Sequence, residues 1–450
     1  MYETQISGYS RTAPSGVAWH SPRTDPWFAV ARAPRNDRAA FAALVIFTLI
    51  LLLSPQNYFP FLLPLRLAFL SAFCAAAFLF WDRWSRAEPL LQVNRELLVV
   101  TAIPAWAAVT LPLSYWPSGS VSILTDAYLK AVAVFCLLMN IVTTPQRLKI
   151  IATTLFLCTI PITATALKNF VTGNFVAGSQ EAGRILGYQN SLALNPNDMA
   201  LMLNLLIPLG LALFFIATKP FLRALCLFII GLDLVGVILT LSRAGFLGLA
   251  TIALLYFLKL IRRPGSDRIW AFAVFLTIVV SLPFLPSNYL DRVGTIGDID
   301  ADPTGSAQAR WRDNVAATAF VMKHPIVGAG IGMDVLALND ERGQKWKQVH
   351  NVYLEYAVDL GIPGLALFLM LFYWVWRAAR SARLRVSSIP ALRNLFLLAE
   401  ALEVSLIVFA VAGFFHPVAY HFYFYYIAGL ALGGRVAINN AVDRELQCAR

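Results

Sequence analysis

Charge is scarce in this sequence. Of its 450 residues only 14% are Asp, Glu, Lys or Arg, against 58% hydrophobic, a balance that excludes an ordinary soluble domain, where about a quarter are charged. Cysteine is scarce too. Of the five, Cys74, Cys136, Cys158 and Cys226 sit in apolar runs and Cys448 near the C-terminus, so no disulfide framework organises the fold. A cleavable signal peptide is also missing: the first 37 residues are polar and proline-rich and read as a disordered cytoplasmic arm. That leaves the first apolar run as the targeting signal. No Cys, His or carboxylate cluster has metal-ligand spacing.

Long apolar runs are what the chain has instead. They are continuous rather than alternating with period two, which excludes a barrel and predicts an all-α polytopic membrane protein. About twelve spans are expected, near 38–54, 61–81, 97–115, 126–145, 148–168, 196–217, 221–241, 244–261, 269–287, 351–376, 394–415 and 418–436. Residues 38–436 then form a transmembrane domain and 437–450 a cytoplasmic tail. The net charge of +11 does not point to nucleic acid, because the basic residues fall on alternate loops. Arg83, Arg86, Lys149, Lys219, Lys259, Arg263, Arg377 and Arg383 mark one side, while the short segments 54–60 and 117–125 of the other contain no Lys or Arg. With both termini inside, that is the positive-inside rule.

Two segments on the opposite side are longer than a turn, 169–195 and 287–350. The second carries acids but also Arg292, Arg310, Arg312, Lys323 and Arg342, on the side where basic residues are not needed for topology. Within it, Ser306 to Lys323 reads as a helix stopped before Pro325 and followed by a glycine-rich turn, with Arg310, Asn314 and Thr318 on one face. Arg243, in "LTLSRAGFLGLA", lies between two apolar runs, where an unpaired guanidinium costs a few kcal/mol. Arg184 and the "LNPND" stretch with Asn195, Asn197 and Asp198 precede another span. In "VHNVYLEYAVDLGIPG", Asn351 is placed to cap a short helix, Gly361 to end it and Pro363 to start the rest of the span, leaving His350 at the rim of the bilayer. Guanidiniums suit phosphate oxygens at any accessible pH, and an imidazole can move a proton near neutrality. Glu355 and Asp359, four apart, are placed to orient that imidazole or to bind sugar hydroxyls. His324 and His416, each before a proline, read as turn residues, and "YHFYFYY" from Tyr420 as an interfacial aromatic belt.

These marks, "LSRAG" around Arg243, "ARWRDNVAATAFVMKHPIVGAGIG" with Arg310 and "HNVYLEYAVDLGIPG" from His350, together resemble the O-antigen ligase and polymerase family of bacterial membrane glycosyltransferases over roughly Lys130 to Gly364. The resemblance implies transfer of a glycan from an undecaprenyl diphosphate carrier to an acceptor sugar, a lipid A core or a second glycan, at the periplasmic face of the inner membrane. It implies no metal, cofactor or nucleotide sugar. It puts Arg243 and Arg310 on the diphosphate and His350 as base, with Arg184, Asn197, Ser242, Arg312, Asn351 and Glu355 as secondary candidates. Where the family usually has tryptophan this chain has Asn314, with Trp311 and Arg312 earlier, which raises the question whether Arg312 shares the work of Arg310. The rival reading is a transporter or flippase for the same lipid. It would need polar residues along a path to both faces, whereas these candidates gather at one.

Overall fold

The computed structural model describes residues 37–176, 184–188, 192–263, 268–269, 272 and 305–448. These lie in one compact unit, 33–450. The expected arm, the span at 269–287, the start of the loop at 287–350 and part of that at 169–195 lie largely outside the described residues. Within them the chain is helical, with one isolated bridge, Phe175 to Ile185. In order the helices are α1 Arg38–Leu53, α2 Leu67–Ser85, α3 Arg95–Thr110, α4 Pro117–Ser122, α5 Leu129–Ile141, α6 Pro145–Val171, α7 Pro196–Ile216, α8 Pro220–Leu239 and α9 Arg243–Ile261. After the undescribed segment come α10 Ser306–Lys323, α11 Asp334–Arg342, α12 Val352–Val386, α13 Arg393–Ala412 and α14 Phe422–Cys448. Nine helices among the described residues are long and apolar enough to cross a membrane, and α1 is a shorter apolar helix. The chain is an all-α polytopic membrane protein.

Several boundaries differ from the sequence reading, among them the end of α12, which runs to Val386 rather than 376. Residues 117–125, expected as a loop, are helical: Pro117 opens α4, and a π-helical stretch, Ile123–Tyr128, carries it into α5. Pro at the first helical position lacks only an N–H that has no helical partner anyway. At the other end α14 runs through the boundary expected at 436 to Cys448.

Helix α7 is apolar on every side and is buried along nearly all its length, as that composition requires. Because lipid is as apolar as leucine, association rests on close packing and interhelical hydrogen bonds. Gly245 and Gly248 let α9 approach α7: a Cβ at Gly245 would stand 2.9 Å from that of Ala200, and Asn204 Nδ2 donates to the Gly245 carbonyl over 2.9 Å. Ser405 of α13 donates to the Leu205 carbonyl of α7 over 2.7 Å. Gly429 and Gly433 bring α14 onto α5, where a Cβ would meet the Phe135 and Leu138 carbonyls at 2.7 and 2.8 Å.

The aromatic run at the start of α14 is no interfacial belt. Tyr423, Phe424, Tyr425 and Tyr426 are buried. Their hydroxyls find partners inside: Tyr425 with Tyr356 at 2.6 Å and Tyr128 at 3.0 Å, Tyr426 with Thr48 at 2.6 Å. The close approach at Gly429 and Gly433 turns this face inward.

Other in-span charges also acquire partners. Glu400 pairs with Arg263 and, at 3.7 Å, with Lys259; Glu403 pairs with Arg383 and, at 3.2 Å, with Lys259. Asp233 lies between the hydroxyls of Thr163 and Thr159 at 2.8 and 3.0 Å. Lys130 sits 3.5 Å from Asp126 on an exposed face, and Arg66 caps α2 with φ 43°.

Candidate functional site

The "LGIPG" sequence breaks α12. Gly361 adopts φ 69° and ψ −176°, which leaves the carbonyls before it without helical donors. A backbone open at that depth must be satisfied by protein. The glycine-rich segment after α10 does this: Ala329 N–H donates to the Val358 carbonyl and Gly330 N–H to that of Asp359, each over 2.8 Å, and Ile362 N–H donates to the Pro325 carbonyl over 2.7 Å. Trp106 Nε1 donates to the Leu360 carbonyl over 2.9 Å. Gly328, Gly330 and Gly332 have φ of 72°, 99° and 73°, left-handed conformations that glycine adopts without a Cβ penalty.

Before the break, Asn351 caps α12, its side chain accepting from the N–H groups of Tyr353 and Leu354 at 3.0 and 3.2 Å. Asp334, buried at the start of α11, accepts the Val349 N–H over 2.7 Å. Burial raises the Asp334 carboxyl to about 6. His350 is thus held by a hydrogen bond just ahead of it and a helix cap just behind.

The imidazole of His350 is part-exposed, with Nδ1 3.0 Å from the Gln348 carbonyl oxygen. That oxygen can only accept, so in the neutral ring Nδ1 carries the hydrogen and Nε2 keeps its lone pair. Burial foremost, then the positive charge of Arg310, lowers His350 to about 4, with smaller opposing effects from Gln348 and Asp313. At neutral pH the ring is an unprotonated base.

Arg310 reaches this place from α10, which spans Ser306–Lys323 as expected. Two residues on, Arg312 projects about 200° around the same helix and is exposed. The charges that act on His350 are those of Arg310, Asp313 and His416, and that of Arg312 is not among them. Asp313, buried on the α10 face between them, pairs with Arg342 and locks α10 to α11.

His416 was read as a turn residue. It is fully buried, with Nδ1 2.9 Å from the Ala412 carbonyl and Nε2 3.1 Å from that of Asn197. Its one legible signal was the following Pro417; nothing in the sequence tied it to Asn197. Asn197 in turn accepts from Arg184 Nη2 over 2.9 Å, while Asn195 is the residue that caps α7. Arg184, Asn197, His416, Arg310 and His350 therefore form a chain of neighbours at one end of the bundle. Arg243 opens α9 at that same end, because the first turns of α9 and α7 meet through Gly245 and Ala200. Ser242 is buried and caps α9, its Oγ accepting the Gly245 N–H over 3.1 Å. Glu355 is buried and accepts the Ala419 N–H over 3.1 Å, bracing the segment before α14, and Asp359 accepts the Gly332 N–H over 2.8 Å. Neither supplies the Nδ1 partner of His350.

Residues 224–369 match the family model described as O-Antigen ligase. This segment belongs to the O-antigen ligase family. The match takes in Arg243, Arg310 and His350, together with the glycine-rich loop, and ends just past the break in α12. Arg184, Asn197 and His416 lie outside the matched residues and are brought to the domain by folding. No curated protein matches the chain. The match supports a function of the O-antigen ligase type, glycosyl transfer, for this polytopic membrane protein.

Proposed function

We propose that the protein transfers a glycan from an undecaprenyl diphosphate carrier to an acceptor sugar hydroxyl, without a metal, at the periplasmic face of the inner membrane. The observation that carries this reading is the neutral His350, its Nε2 unprotonated, within the field of the Arg310 charge. The acceptor oxygen attacks the anomeric carbon while Nε2 takes its proton. The bond from that carbon to the phosphate oxygen breaks, and the charge gathering on the departing diphosphate is met by Arg310 and Arg243. Fixed cations at the point where charge develops, together with a positioned base, are the two demands of such a displacement.

Transfer by purified protein from a lipid-linked donor tests the assignment. His350→Ala should lower turnover by about a hundredfold to ten-thousandfold; undiminished transfer would sink the base. Arg310→Lys should damage turnover because the planar fork is lost, whereas Arg312→Lys should leave it near wild type. Equal loss in both would argue against the distinction drawn between them. Polymerase and ligase differ in the glycans of a deletion strain: loss of long chains with single repeats still attached marks a polymerase, and unattached carrier-linked polymer a ligase.

A further inference from the structure

His416 makes two contacts that one neutral imidazole cannot satisfy. Both ring nitrogens face carbonyl oxygens, Nδ1 that of Ala412 in α13 and Nε2 that of Asn197 in α7. Carbonyls only accept, and a neutral ring has one N–H. In that form a nitrogen lone pair would point at an oxygen lone pair across about 3 Å. Only an imidazolium donates in both directions, so the two acceptors are already in place for a second proton.

Around it the balance is set by few groups. Burial and the charge of Arg310 on α10 oppose the proton, and the two carbonyls favour it. His350, from the segment ahead of α12, interacts with it electrostatically, Asp198 follows Asn197 in the first turn of α7, and with α13 and α7 its hydrogen bonds are to carbonyls. The opposition from Arg310 would be cancelled by an anion placed on that guanidinium. We propose that occupation of the site by a lipid diphosphate is coupled to uptake of one proton by His416, whose imidazolium then ties the first turn of α7 to the end of α13. This rests on the diphosphate reading above. The proton comes from solvent and no covalent bond changes. His416 is a positioning residue: being buried, it acts through Asn197, and through Asn197 on Arg184, rather than by touching the donor.

The test is calorimetric titration of the full-length protein in detergent with undecaprenyl diphosphate carrying a single N-acetylglucosamine. Both phosphates of this probe are esterified and take up no proton near neutral pH. Repeating the titration at one pH in buffers of different ionisation enthalpy counts the protons. Wild type should take up close to one per donor, and affinity should rise by up to about tenfold per unit fall in pH across the window of uptake. His416→Gln should bind with no uptake and a flat pH dependence, while His350→Ala should keep the uptake, since burial, the larger cause that holds His350 low, is not relieved by an anion on Arg310. Wild-type binding without proton uptake, or uptake lost in His350→Ala and retained in His416→Gln, would overturn the coupling while leaving the diphosphate reading intact. Absence of any binding would overturn both. Because the wild-type count stands alone, a poorly folded His416→Gln would not rescue a negative result.

Discussion

At the scale of the residue, the decisive contrast is between two histidines at one end of the bundle. His350 has one carbonyl partner and a free nitrogen; His416 has two carbonyl partners and no free nitrogen. On the proposed reading the first accepts a proton from a ligand and the second holds helices. The low value of His350, about 4, has a kinetic consequence. A base lost on protonation stays active above its own value, so kcat/KM, which reports the free enzyme, should show no acid-side fall near 6.5, the ordinary histidine value, and should decline only toward pH 4. A pH–rate profile checks this; an acid limb centred near 6.5 would mean that Arg310 and burial do not act on the base. His350 was legible in the sequence because it stood beside a cap signal, Asn351, at the edge of an apolar run. His416 was not, because its meaning lies in a carbonyl at Asn197, more than two hundred residues away in the chain, and spacing carries no trace of such a contact.

At the scale of the element, α12 shows which part of a fold a sequence announces. Asn351, Gly361 and Pro363 signalled a capped short helix, a break and a restart, and each does what it signalled. Their counterpart was harder to see. "HPIVGAGIG" read as a glycine-rich turn, and only the structure shows its N–H groups satisfying the carbonyls that the break exposes. One substitution probes this mutual dependence. Gly361→Ala places a side chain at φ 69° and drives its Cβ into the Ile326 carbonyl of that loop. Left-handed backbone alone costs roughly 1–2 kcal/mol outside glycine, and the collision adds to it. The variant should melt several degrees lower and lose transfer activity together, as His350 and Arg310 lose their common support. Gly343→Ala is the control: its φ of 80° imposes a comparable strain, yet a Cβ there meets nothing, so activity per folded molecule should survive. Retention of both stability and turnover in Gly361→Ala would show that the break does not hold the site.

At the scale of the whole molecule, the charges sort to opposite ends of the same helices. Arg243 opens α9 and Lys259 lies in its last turn; Asn351 caps α12 at one end and Arg383 lies near the other. The ends carrying Lys259, Arg263 and Arg383 are clamped to Glu400 and Glu403 of α13, which are the partners that sequence alone left unassigned. Charge alternation made the two sides legible; which acid met which base depended on packing. Beyond the break at Gly361, the part of α12 from Ile362 to Val386 is about 38 Å long, enough by itself to cross a hydrocarbon core of about 30 Å, so the two ends of α12 are expected on different sides. Residues 348 and 387 flank it and are both exposed. In a background freed of the five native cysteines, Gln348→Cys should react with a membrane-impermeant maleimide applied to spheroplasts, and Ser387→Cys only after permeabilisation. The reverse pattern would put His350 on the cytoplasmic side and remove the proposed donor from its reach. Reaction of both from outside would mean that α12 does not cross, and the positive-inside argument would fail at Arg377, Arg380, Arg383 and Arg385, the place where its charges are densest.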